Sequence, residues 1–430
     1  MPYWGGQCPP LCGRMEIIMK NLLKCGLLLI LCVLQICIFG SCGNNDGEIP
    51  QDSRVISVAP NIAQHGNYIY YVIGGAVFRY NLITGDFGSA CMEPTCAHDY
   101  ESGCVMFDIW SLCFIANDRL YFSYYSKDID GDFTYAAYNL LDGTLSIIKQ
   151  CETYEVFTSH MKTDGTYLYY SYKRLKDGGN ADDPNDYVPA VFRQPLSGGK
   201  EEFLCYADSN TAFITFIYND KLIFEDSANG VFYSTDLDGQ NKKIIFNNDG
   251  YDFFQQEFLL DGNIYFLASD GTYDISATGT NVYHYNLFKV NVITGEYKKL
   301  LEDYVNTYTM INDKIYYLLY ELRTVYTPPN YGQPDCKEVP TVWLYDDTLR
   351  CCDLEGGSIE QLYTKQDIKY LSLSQSCYVV GDKMYGQFRT YDAVSHEQSA
   401  PCFGVMDIKK GSYTMIADMS DYLTILGYSD

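Results

Sequence analysis

Seven times in this chain a tight polar turn leads into a strand-like run rich in Tyr, Ile and Phe. The runs are YIYYV after Asn67, RLYFSYY after Asp118, TYLYYSY after Gly165, KLIFED after Asp220, NIYFLA after Gly262, KIYYLLY after Asp313 and KMYGQF after Asp382. Each is followed by a second run that closes on a Gly-bearing turn: VFRYNLITGD (77–86), YAAYNLLDGT (135–144), VFRQPLSGGK (191–200), VFYSTDLDGQ (231–240), LFKVNVITGE (287–296), LRCCDLEGGS (349–358) and FGVMDIKKGS (403–412). A short strand such as KKIIF (242–246) comes next, and another such as AFITFIY (212–218) precedes the following turn. The unit is therefore four short strands with no helical periodicity between them. Such a repeat predicts an all-β fold, a β-propeller of four-stranded antiparallel blades. Seven blades are expected, with six or eight as the alternatives.

Ring closure has a simple cause. Runs such as LIF, IYF and IIF carry apolar side chains on both faces of a sheet, so each blade must be covered on both sides. Two segments are candidates for closing the ring, the tail YLTILGYSD (422–430) and VISVAP (55–60).

The repeat also predicts a working face. With strands A to D named from the axis outward, the A–B and C–D turns are tight, whereas the long insertions fall between B and C. They are 126–133, 175–189, 269–286, 322–342 and 391–401. B–C loops share one end of a propeller, and loops of this kind carry recognition on a rigid scaffold. Drift in loop length would lengthen both ends. Tyr187, Tyr273, Tyr283, Tyr285, Tyr326, Tyr331 and Tyr391 lie in or beside these insertions and are the candidate ligand-binding residues. Exposed Tyr beside Asp and Asn suits sugar stacking, hydroxyl hydrogen bonds and protein hot spots. The bland alternative is that these rings pack under their own loops.

The segment CMEPTCAHDYESGC (91–104) links the first two blades. Its place in the repeat puts it on the same face as the long loops. Three readings are open. Cys91, Cys96, His98 and Cys104 supply three thiols and an imidazole, a set that suits structural zinc. In an exported protein a disulfide is permitted, for example Cys96 with Cys104. The thiols would otherwise be small buried apolar groups. All three readings give the segment a structural role.

The repeat resembles the YWTD-type propellers, and more closely an uncharacterised group of propeller lipoproteins from Gram-positive bacteria. The resemblance covers about residues 60 to 420, with IYYV, LYFS and IYYL where YWTD would stand. A segment like 91–104 is similar to a recurrent mark after the first blade of that lipoprotein group. The resemblance implies the fold and a surface location, and it implies no catalytic residue.

Location is read from the N-terminus. Lys20 and Lys24 precede an apolar run from Gly26 to Gly40, broken only by Gln35, which matches the core of a signal peptide. The run ends in Phe-Gly-Ser-Cys42, similar to a lipobox, so residues 1–41 are expected to be a lipoprotein leader and Cys42 the lipidated residue. Met15 or Met19 is the alternative start. Residues 42–53 form a polar tether and 54–430 the propeller. The expected location is the outer face of the cell membrane, reached through the lipid anchor.

Residues 1–41 contain Arg14, Lys20, Lys24 and Glu16, so the remainder holds 30 − 3 = 27 basic and 55 − 1 = 54 acidic residues, a net −27. This charge repels phosphate backbones and argues against nucleic acid as a partner. No GxSxG, HExxH, P-loop or dinucleotide motif is present, and no catalytic residue is assigned. Calcium at Asp128, Asp130 and Asp132, or at Asp177, Asp182, Asp183 and Asp186, is a second metal possibility, although the EF-hand order is broken. No cofactor is required by any motif. The expected function is a monomeric surface propeller binding a glycan, a peptide or a partner protein. The alternatives are an extracellular hydrolase or lyase with acids at the axis and a structural subunit of an envelope complex.

Overall fold

The computed structural model describes residues 56–57, 62–98, 103–152 apart from 108 and 126–132, 155, 161–207, 209, 212–247 apart from 227–228, 252–301 apart from 276–280, 305–326 apart from 312 and 320–321, 340–364 apart from 345–347, 370–371, 377–389, and 402–419 apart from 411. The expected leader, Cys42, the tether and the tail 422–430 lie outside these residues.

Seven antiparallel sheets form the seven blades of a β-propeller; the first four are each built from four consecutive strands, while blade six is interrupted by a separate two-stranded ribbon. The first blade runs Ile62–His65, Tyr68–Ile73, Ala76–Asn81 and Phe87–Ser89, and the fourth Ala212–Tyr218, Lys221–Asp226, Val231–Asp236 and Lys243–Asn247. Among the described residues the one helical element is a 3-10 turn, Pro184–Asp186.

The alternation within KLIFED shows how the core is built. Ile223 packs with Phe232 of its own blade and with Phe266 and Phe288 of blade five. Leu222 and Phe224, on the other face of the same strand, pack with Tyr169 and Val191 of blade three. A strand with apolar residues at successive positions thus serves two interblade cores at once. Aromatic rings fill these wedges, as where Phe246 meets Phe266 at 5.2 Å.

Among the described residues, blades seven and one meet by face packing. Tyr378, Tyr385 and Phe403 of blade seven share one core with Tyr71 and Phe78 of blade one. Phe403 lies 5.0 Å from Tyr71 and 5.4 Å from Phe87, centroid to centroid. The Tyr378 hydroxyl donates to Gln64 Oε1 at 2.9 Å across the same seam. The segment VISVAP does add a strand, but elsewhere. Ile56–Ser57 pairs antiparallel with the innermost strand of blade five (Asp252–Leu260), Ile56 opposite Leu259.

A second rule holds the outer rim. The glycine of each of several C–D turns rests on the outer strand of the preceding blade. A Cβ on Gly239 would stand 2.1 Å from Cys205 Cβ, and one on Gly356 would stand 2.5 Å from the Leu300 carbonyl oxygen. Both glycines also take positive φ, 79° and 77°. Only glycine meets the close approach and the left-handed turn together. In blade two the corresponding Gly143 faces Met92, so Met92 stands where other blades place an outer strand.

Candidate functional site

Three features carry chemistry. The first is the B–C end of the ring. In blade five the B and C strands run Asn263–Ile275 and Asn281–Asn291 and pair with each other, far longer than the outer strand Tyr297–Leu301 that pairs with the C strand. They project as a ribbon in which Tyr273 faces Tyr283 across the strands. Their rings meet edge-on at 5.6 Å, and Tyr273 is 47% exposed. Thr272 Oγ1 lies 3.2 Å from His284 Nδ1. Hydrogen bonds from the Thr272 hydroxyl and amide hold Asp270 below the usual carboxylate range. Blade six extends at the same end through the pair Leu322–Tyr326 and Pro340–Leu344. Blade three does so through nine-residue strands, Tyr167–Leu175 and Tyr187–Pro195.

The sequence-predicted tyrosines separate here. Tyr273 and Tyr283 stand on the projecting ribbon. Tyr285 is half-buried against the core of blades five and six, and burial raises its hydroxyl pKa. Tyr187 folds back on its own loop and donates to the Ala181 carbonyl at 3.4 Å. Tyr326 belongs to the backbone of the blade-six ribbon, while Tyr331, Tyr391 and the acids Asp128, Asp130 and Asp132 lie outside the described residues. In the blade-three loop Asp183 caps the 3-10 turn and Asp186 pairs with Lys176 and accepts from the Asn180 amide. These carboxylates are used locally.

The second feature was not singled out in the sequence. Glu257 sits at a bulge in the inner strand of blade five, between the pairs Gln255–Leu267 and Phe258–Tyr265. Glu225 of blade four shares a strand face with Ile223, which packs against blade five, and lies close enough for the charge of Glu257 to act on it. They are 5% and 3% exposed, with Asp226 and Lys162 buried nearby. Burial pushes Glu257 up to about 7. Burial and the charges of Glu257 and Asp226 push Glu225 well above the usual range, against the opposing charge of Lys162. Glu225 Oε2 and Thr215 Oγ1 are buried with no hydrogen-bond partner. The available signal was a Glu inside the apolar runs KLIFED and EFLL.

The third feature is the segment 91–104. Its ends do reach the B–C end of blade one, since the Ala90 amide donates to Val77 and the Ile109 amide to Gly75. The cluster itself lies lower, in the wedge between blades one and two, which corrects the expected position on the loop face. The Met92 amide donates to the Tyr138 hydroxyl of blade two at 2.8 Å. Cys91 and Cys104 are buried in the core shared by the two blades. The three sulfurs and a His98 ring nitrogen all lie within 4.8 Å of one another. Among the described residues this is the one grouping of Cys, His, Asp or Glu compact enough for a metal ion. Burial pushes the Cys91 and Cys104 thiols up. No disulfide joins Cys91, Cys96 or Cys104.

No family model matches the chain, and no curated protein does. Solved structures do. A puromycin hydrolase mutant complexed with PGG matches at 10% identity and a TM-score of 0.50, over 84% of this chain and 53% of that one. A prolyl endopeptidase structure matches at 10% and 0.49, over 83% and 50%. An oligogalacturonate lyase in complex with manganese matches at 12% and 0.48, over 86% and 92%. The chain spans about half the length of the first two. At these identities the likeness is one of fold alone.

Proposed function

We propose that the chain is an exported, lipid-anchored recognition propeller that binds a glycan, a peptide or a partner protein at its B–C end. The observation that carries this reading is the set of hairpin extensions on blades three, five and six, all at the B–C end of the ring. Of these, the blade-five ribbon offers an exposed aromatic with a hydroxyl, an imidazole and a carboxylate beside it, a surface for stacking and hydroxyl hydrogen bonds. Without residues 1–41 the net charge of −27 disfavours anionic polymers and favours a neutral glycan or a neutral to basic peptide. Cys42 would tether the propeller to the outer membrane face. Among the described residues, the Glu225–Glu257 pair is the feature that favours hydrolysis or lysis of a polymer at the axis. With 3% and 5% of their surfaces exposed, both are closed to a polymer chain in this conformation, so recognition is the reading adopted.

The test is a screen of the full chain against glycan and peptide arrays, followed by titration of each hit with Tyr273→Ala and Tyr283→Ala. Loss of a central aromatic contact weakens binding by about 30-fold or more. Hits whose affinity is the same in both variants would place recognition away from the blade-five ribbon.

A further inference from the structure

The segment 91–104 does more than link two blades. We propose that Cys91, Cys96, His98 and Cys104 form a structural zinc site that takes the place of missing outer-strand structure on blade one.

Four observations converge. The first is compactness. Four tetrahedral ligands at ordinary zinc–sulfur and zinc–nitrogen lengths lie about 3.5 to 3.8 Å apart. The ligand atoms here already approach within 4.8 Å of one another, each to all the others. A disulfide would need only two sulfurs to converge and gives no reason for the imidazole to join them.

The second is the hydrogen bonding of the sulfurs. The His98 amide donates to Cys96 Sγ at 3.4 Å. The Glu93 amide donates to Cys91, and the Met106 amide to Cys104. Each sulfur therefore accepts an N–H from the residue two positions on. The same turn is built three times, and such outer donors stabilise thiolate charge and aim it at a metal.

The third is His98. Its Nδ1 is buried with no hydrogen-bond partner. Its backbone holds φ at 57°, in the left-handed region. A buried imidazole nitrogen without a partner is unfavourable, and strain of this kind persists where the surroundings demand it. Coordination through Nδ1 would give that nitrogen its partner.

The fourth is position. The outer strand of blade one, Phe87–Ser89, is the shortest of the seven. Met92 follows it in the place that outer strands occupy elsewhere, under the blade-two turn at Gly143. Cys91 and Cys104 then join the core between the two blades. A metal would fix the segment where hydrogen bonding from a strand edge is missing. With four protein ligands the coordination sphere is complete, so the ion stabilises the fold and performs no catalysis. Three thiolates, one neutral imidazole and Zn²⁺ give a net charge of −1, and loading releases the three thiol protons. Arg79 acts on the same Tyr138 hydroxyl as Cys91 and Cys104, so a cationic side chain stands in the same wedge.

The experiment uses the full chain, purified without chelator. Elemental analysis and native mass spectrometry are expected to give one zinc per chain, with Cys91, Cys96 and Cys104 protected from alkylation until a chelator is added. His98→Ala is expected to weaken zinc at least about tenfold in competition with a chelating dye, while Cys352→Ser, a buried thiol of blade six, leaves the stoichiometry unchanged. Should His98→Ala fail to fold, Co²⁺ exchange into the unaltered chain supplies the test, through thiolate-to-cobalt charge-transfer bands and a tetrahedral ligand-field spectrum. A folded chain with no metal and three alkylatable thiols overturns the proposal. So does a mass lowered by about two units with Cys96 joined to Cys91 or Cys104.

Discussion

Removing the ring of Phe403 tests how this propeller closes. Among the described residues no strand is shared between blades one and seven; the seam they form is face packing, with Phe403 in its core. The side chain is 0% exposed. Its ring lies 5.0 Å from Tyr71, 5.9 Å from Tyr80 and 5.4 Å from Phe87, one contact with each of three strands of blade one. Burial of the ring is worth about 2 kcal/mol, and the three aromatic pairs add about 0.7 kcal/mol each. Phe403→Ala is therefore expected to cost about 4 kcal/mol, within the usual range for a Phe-to-Ala change in a close-packed core. Guanidinium unfolding of wild type and variant measures this directly. Ile147→Ala, at a side chain 52% exposed, is the control and is expected to shift stability by less than about 0.5 kcal/mol. Phe87→Ala and the double variant complete a cycle with an expected coupling of about 1 kcal/mol. A loss below about 1 kcal/mol for Phe403→Ala, with no coupling to Phe87, would refute closure by face packing.

Two further changes probe the rim and the buried acids. Gly356→Ala places a methyl group 2.5 Å from the Leu300 carbonyl at a φ of 77° and is expected to destabilise by about 2 kcal/mol or more in the same assay; an unchanged midpoint would mean that the C–D turn does not rest on the preceding blade. Burial raises the Glu257 pKa from 4.5 to about 7. The folded state then binds the extra proton. Its contribution is fully present below about pH 4.5, is lost as pH rises to about 7 and is absent above. Thermal midpoints of wild type are expected to fall between pH 5 and pH 8, and Glu257→Gln is expected to flatten that fall. A variant that tracks wild type across the range would show that Glu257 is ionised throughout.

The blades were legible in the sequence because each strand needs only local information. Polar turns, aromatic runs and the alternation that serves two faces are written within about ten residues, so KLIFED and NIYFLA announce both their strands and their burial. The long B–C insertions were legible for the same reason, as lengths between recognisable strands. What those insertions do with their tyrosines was not. Tyr273 and Tyr285 are twelve residues apart in one hairpin, yet one is exposed on the ribbon and the other packs between blades. The difference is set by how far the ribbon runs past the blade.

The cysteine segment divides in the same way. Its composition named the four groups that matter and left zinc, disulfide and free thiol open. Only the fold brought the three sulfurs and the imidazole nitrogen within 4.8 Å of one another and moved them from the loop face into a wedge. Glu225 and Glu257 stand on neighbouring blades with two strands of blade four between them in the chain, so nothing local could pair them. The seam between Phe403 and Tyr71 is likewise invisible in sequence. Local patterning decides which strands form and which faces are apolar. Contacts between residues hundreds of positions apart depend on the angle at which seven such sheets meet, and that angle exists only once the ring is closed.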